Sequence, residues 1–142
     1  MENTKNRFLD ILEQSEAREL FDEYDSSLNT VVHTGRVIEA FSLKIDFYDD
    51  IVMIVTSSYM GSDETNPDSV RNLLDSINSI IEVGSFIISN DKRIIHRCGI
   101  PIDVISDIDN PFDVIFLGCE LFGYFQDSIL KALLGQHIVA VG

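Results

Sequence analysis

The sequence predicts an α+β fold: a helix, an antiparallel meander of two or three strands, a second helix, a β-hairpin, and a long C-terminal helix packed on the sheet. Three observations carry this. Phe41, Leu43, Ile45 and Phe47 alternate with Ser42, Lys44, Asp46 and Tyr48, the period of two that gives a strand one apolar face. Val70, Leu73, Leu74, Ile77, Ile80 and Ile81 recur at helical spacing and make one apolar stripe. Two Asn-Pro pairs, Asn66-Pro67 and Asn110-Pro111, set a capping side chain before a residue whose fixed φ suits the first helical turn.

Taken in order, Phe8, Ile11, Leu12, Leu20, Phe21 and Tyr24 fall at helical spacing between Asn3 and Tyr24, with Asn3 or Thr4 as N-cap. Glu13 to Glu16 is polar on all sides, so Ser15 caps a second helix or the first runs through. Asp25-Ser26-Ser27 marks a loop. Thr30 to Tyr59 is the strand region, beginning with a β-branched stretch to Val37 that either turns at Thr34-Gly35 or bulges there. Asp49-Asp50 turns the chain into Ile51–Val55, apolar on both faces as in a central or doubly covered strand. A two-residue loop sets Val52 and Ile54 on the face of Phe47 and Ile45; a three-residue loop sets Ile51, Met53 and Val55 there. The second helix follows the polar loop Gly61–Asn66 and ends at Gly84, a residue suited to left-handed geometry. Phe86–Ile88, a turn at Asn90-Asp91, and Arg93–Ile100 form the hairpin, ended by Pro101. Ile102 to Asp109 is a linker.

The last helix runs from Asn110-Pro111 to about Leu134, with Gly135 as its stop. Its polar ridge is narrow, through Asp113, Glu120, Asp127 and Lys131, and most of the rest is apolar. A surface helix needs an apolar stripe of only about 100°. Either two layers of the same chain cover the excess or a second chain does. The flank around Phe116, Tyr124 or Leu130 is the expected interface.

At 142 residues and 45 % hydrophobic content the chain suits a single domain over 1–142 with a real core. Its net charge of −14, from 24 acidic and 10 basic residues, argues against binding phosphate backbones, which takes clustered Lys and Arg. The same charge suits solubility or attraction to a basic partner. Two cysteines, Cys98 and Cys119, make no disulfide framework, which fits a reducing cytoplasm. The polar start, Met1 to Asp10, does not read as a secretion signal, and no uncharged apolar run is long enough to span a membrane.

His96 and Cys98 point the same way on a predicted strand, and with His33 or Cys119 they are candidate metal ligands. No CxxC or HExxH spacing supports that, and two such residues on a strand are more often core or edge residues than ligands. Asp103, Asp107, Asp109 and Asp113 cluster around one loop without the glycine and closing Glu of an EF-hand; helix-start chemistry at Asn110 is the preferred reading over a calcium site. There is no G-x-S-x-G elbow, P-loop or G-x-G-x-x-G, and no catalytic residue or cofactor is expected.

Leu73-Leu74 and Ile77-Asn78 in a helix, Gly84-x-Phe86 opening a hairpin, Ile94 and Arg97 in the next strand, and Tyr124, Ile129 and Leu133-Leu134-Gly135 in a long helix form one series. On these residues the chain from Asp68 onward resembles the YbjN family of bacterial proteins, whose fold resembles the type III secretion chaperones. The resemblance implies a chaperone-like α+β domain, a tendency to homodimerise and no catalytic residues. It also implies links to regulation and stress responses. Secretion chaperones hold unfolded protein segments, often as acidic dimers.

Three functions follow as expectations. The first is a non-enzymatic, homodimeric module that binds a protein or peptide in the cytoplasm. The second is an acidic inhibitor that mimics nucleic acid or blocks a basic partner. The third is a hydrolase or metal enzyme, which requires His33, His96 and Cys98 to converge.

Overall fold

The computed structural model describes residues 2–34, 40–61 and 67–133. Its core is a six-stranded antiparallel sheet in the order β1-β2-β3-β4-β6-β5. The strands are β1 Asp22–Tyr24, β2 Ser27–His33, β3 Ala40–Phe47, β4 Ile51–Gly61, β5 Ser85–Ile88 and β6 Arg93–Pro101. The helices among the described residues are α1 Glu2–Gln14, α2 Pro67–Asn78, α3 Ile102–Asp107, α4 Phe112–Ile115 and α5 Leu117–Leu133. The α+β architecture is the expected one, with the last helix on the sheet. The meander has four strands rather than two or three.

Alternation in β3 behaves as its sequence dictates: Phe41, Leu43, Ile45 and Phe47 are buried and the residues between them are not. Ile45 pairs with Ile54 and Phe47 with Val52, so Asp49-Asp50 is a two-residue loop and the Val52–Ile54 alternative is the correct one. β4 lies between β3 and β6 and is central, but it is not doubly covered. Val52 and Ile54 are buried, whereas Ile51, Met53 and Val55 are only half-buried on the far face.

Around Leu28, Ile45, Ile54, Phe86 and Ile94 one continuous core forms under the near face of the sheet, reached by α1, α3 and α5. Phe122 of α5 packs at a tilt against Phe41 at 5.1 Å and meets Phe86 edge-on at 4.9 Å. α1 sets Phe8 against Phe47 at 5.6 Å. The β3–β4 loop is tied to both neighbouring helices. Asp50 N–H donates to Thr4 Oγ1 at 3.0 Å, and Ile102 N–H donates to Asp50 O at 2.8 Å.

Several boundaries differ from expectation. α1 starts at Glu2, so Asn3 and Thr4 lie inside it rather than at its N-cap. It stops at Gln14, because Glu16 takes a left-handed φ of 57°. No second helix is capped by Ser15; a short 3-10 turn spans Arg18–Leu20, and Tyr24 belongs to β1. Asp25 and Ser26 both have positive φ, a tight two-residue hairpin turn, and Ser27 begins β2. α2 ends at Asn78, short of the expected stop at Gly84, whose left-handed φ of 73° instead leads into β5. The stretch Ile102–Asp107 is helix α3, not linker. The last helix is interrupted at Phe116 and divides into α4 and α5. The expected cap at Asn66, turn at Gly35, stop at Gly135 and tail from Gln136 lie outside the described residues.

Candidate binding groove

The early end of α2 creates the feature with most functional content. Ser76, Asn78 and Ser79 carry side chains that compete for nearby backbone groups and weaken a helix. Ser76 Oγ donates to Asn72 O at 3.0 Å, and Ser79 Oγ to Ser76 O. Asn78, the last residue of α2, turns its side chain to β5: its amide accepts from Phe86 N–H at 2.7 Å and donates to Phe86 O at 2.8 Å. The stripe of α2 is therefore cut short, and Ile80 turns outward with 63 % of its surface exposed.

Ile80, Ile81, Glu82 and Val83 form one wall of a groove of about 450 Å3, and Leu117, Leu121, Tyr124 and Phe125 of α5 form the other. Val83 is 43 % exposed and Tyr124 81 % exposed. The lining is apolar apart from Glu82 and the tyrosine hydroxyl. Such a surface has a free-energy incentive to be covered.

Under the groove lies His96, paired across the strands with Thr56 and 1 % exposed. A carbonyl can only accept, so His96 Nε2 carries its proton and donates to Val83 O at 3.1 Å. Phe86 meets the imidazole edge-on at 5.2 Å. Two glycines make room for the ring. Gly84 has a φ of +73°, and a Cβ there would lie 2.6 Å from His96 Nε2. At Gly118 a Cβ would collide with Thr56 Oγ1 and stand 3.1 Å from His96 Nδ1. Burial holds the imidazole below its ordinary pKa, against the opposing bond to Val83.

The expected interface residues do not share one surface. Tyr124 is exposed, but it sits on the ridge with Glu120, Asp127 and Lys131, all exposed. Phe116 is half-buried and stacks on Phe112 at 5.8 Å. Leu130 is half-buried, six residues beyond Tyr124 and so roughly 120° around the helix from it. The buried side of α5, through Phe122, Phe125, Ile129 and Ala132, is covered by its own chain. Ile80 and Val83 escaped the sequence reading because periodicity assigned Ile80 to the core face. The run of Ser76, Asn78 and Ser79 was the available signal.

His96 and Cys98 share the buried face of β6, as their spacing required, but His33 is on the opposite face and exposed. The three do not converge, so the pocket required for a hydrolase or metal enzyme does not form from them. Among the described residues no group of three or more His, Cys, Asp or Glu is placed to hold a metal ion. Both thiols are buried, and burial pushes Cys119 up to about 11 and raises Cys98 as well. Asp103 pairs with Arg7 at 2.7 Å, and Asn110 Oδ1 accepts from Phe112 N–H at 3.1 Å, the helix-start chemistry expected there.

A second surface is the far face of the sheet, which no described helix covers. Lys44, Arg93 and Arg97 lie on it by register, among half-buried Ile51, Met53 and Val55. No described helix is long and apolar enough to cross a membrane. In comparisons with known protein families and with curated proteins, the chain matches no family model and no curated sequence.

Proposed function

We propose that this chain is a non-enzymatic protein-binding module of the YbjN and secretion-chaperone-like kind, working in the cytoplasm as a homodimer. Its groove between the Ile80–Val83 segment and α5 takes apolar side chains from a protein segment. One observation carries this reading: Ile80, Val83 and Tyr124, three large apolar side chains in water, border the same groove. Covering each fully is worth about 1.5–3 kcal/mol by area, enough to drive association once orientation costs are met. Tyr124 is also the kind of side chain that anchors interfaces, a rigid apolar body with a polar tip. A second copy is the simplest occupant, because a two-fold axis beside Tyr124 brings each tyrosine to the partner's groove.

Sedimentation equilibrium at micromolar concentration tests the dimer. The expected result is a dimer that Tyr124→Asp and Ile80→Asp each convert to folded monomers. A wild-type monomer would remove the homodimer from the reading. Selection from a displayed peptide library then tests the groove. Apolar or aromatic peptides whose binding is lost in Ile80→Asp support it, and peptides that bind both proteins equally would sink it.

A further inference from the structure

We propose that His96 is a pH-sensitive latch on this groove: the neutral imidazole holds both walls in place, and its protonation releases them. The inference rests on the reading of the groove as the binding surface, and concerns how that surface is regulated.

The groove is built from two segments distant in sequence, and both meet the same ring, one through a hydrogen bond and the other through close packing. Val83, in one wall, accepts the Nε2 proton at 3.1 Å. The other wall begins at the first turn of α5, where Gly118 lies over Nδ1 so closely that a Cβ would stand 3.1 Å from it. Gly84 admits the turn that leads away from Val83, with its positive φ and no side chain to strike the imidazole. Each wall approaches His96 this closely because its own glycine carries no side chain.

A second proton would go on Nδ1, and nothing anionic faces it there. From β4 it meets Thr56, whose Oγ1 has no hydrogen-bond partner, and from β5 the Phe86 ring. On its own strand the same-face neighbours are Ile94 and the buried thiol Cys98. From α5 come Gly118 and Cys119, whose thiol stays protonated to about 11. Glu82 and Glu120, the nearest carboxylates along these segments, are both exposed to water. The N-terminal pole of the 17-residue α5 adds partial positive charge on the Nδ1 side. A buried imidazolium in such surroundings is costly.

The ring therefore takes up a proton in the state where it reaches water, with the Val83–Gly84 turn and the first turn of α5 lifted. Acid shifts the population toward that state. The sign follows from burial, which already holds the folded pKa below the ordinary 6.5. Stability of the closed form is full above about 6.5 and is lost as pH falls from there toward the depressed folded value.

An NMR titration of the intact chain from pH 8 to pH 5 tests the latch without any ligand. The imidazole of His96 is followed together with the backbone amides of Val83, Leu117, Leu121 and Tyr124. The expected result is a shared midpoint below 6.5. Amide exchange at Glu120, whose N–H donates to Phe116 O at 3.1 Å across the first turn of α5, corrected for intrinsic rates, should be about tenfold faster at pH 5.5 than at 7.5. His96→Gln keeps a donor for Val83 O but cannot gain a proton, and should abolish the pH dependence. A His96 that titrates while the groove amides stay still overturns the latch, as do groove amides that move equally in His96→Gln. If that variant does not fold, the wild-type titration decides alone. A latch present in a protein that neither dimerises nor selects peptides would overturn the binding reading and leave the latch standing.

Discussion

At Gly118 the backbone of α5 comes so near β4 that no side chain fits, and Thr56 below it is wholly buried with an unpartnered hydroxyl. These two residues give opposite expectations. Gly118→Ala forces a Cβ into Thr56 and should cost about 1–3 kcal/mol in chemical denaturation. Thr56→Val keeps the shape and removes the orphaned hydroxyl, and should raise stability by about 1 kcal/mol. A lower midpoint for Thr56→Val would mean that the hydroxyl has a partner after all. The cysteines give a kinetic expectation. With Cys119 raised from 9.0 to about 11, its thiolate fraction at a given pH falls roughly a hundredfold. A thiol reagent such as dithionitrobenzoate should react with neither cysteine in the native protein at the rate seen in denaturant. Rapid native modification of Cys119 would contradict its burial.

Elements end in this protein where the tertiary fold requires it. α1 closes in a Schellman arrangement, Ala17 N–H donating to Leu12 O at 2.8 Å and Glu16 N–H to Glu13 O at 3.1 Å. The left-handed position is held by Glu16 where glycine is the usual occupant. Glu16→Gly should therefore raise the thermal midpoint, the change in stability being about 1 kcal/mol; a fall would show that the Glu16 side chain contributes more than its strain. α2 closes on Asn78, whose amide stands in for a missing strand beside β5, the outermost strand on that edge. Alternation turns the backbone of Ile88 outward in the same direction, beside a second groove of about 580 Å3 bordered by Arg71, Leu74 and Lys92. Asn78 thus blunts an edge that would otherwise invite pairing. Asn78→Ala should lower stability by about 1–3 kcal/mol and speed exchange of the Phe86 amide more than that of Ile94. Equal protection of Phe86 in the variant would remove this role.

Charge is distributed unevenly over the whole molecule. Among the described residues, carboxylates such as Asp10, Glu13, Asp75, Asp107 and Asp127 line the helices and turns, while Lys44, Arg93 and Arg97 lie on the far face of the sheet with Asp46, which stands 3.8 Å from Lys44. The ion pairs seen, such as Lys5–Glu23 at 3.3 Å and Arg18–Glu23 at 3.4 Å, are part-exposed and each worth about 0–1 kcal/mol. Against them stands the self-repulsion of a net charge of −14. Sodium chloride from 0.02 to 0.5 M should therefore raise the melting temperature, by about 3 °C for each 1 kcal/mol of repulsion screened. A falling midpoint would place the balance with the ion pairs.

Strand β3, its alternation and the β5–β6 hairpin were legible in the sequence, because a period of two read against a single core face leaves few alternatives. β1 and α3 were not. Asp22-Glu23-Tyr24 has no buried side chain at all and is a strand only because β2 offers it a ladder. The six residues of α3 carry just two buried anchors, Ile102 and Ile105, too few for a helical period. The candidate groove was half legible. The excess apolar surface of the last helix pointed to α5 and to Tyr124, but periodicity alone could not tell that α2 stops at Asn78. The chain by itself determined composition, charge, the fold class and the faces of its longest elements, since local spacing dictates which side chains can share a core. Where helices stop, that Phe116 breaks the last one, and that Ile80, Val83 and Tyr124 meet above His96 were decided by tertiary structure. There a side-chain amide, two glycines and one buried ring compete with local preference, and the close approach of backbones settles the outcome.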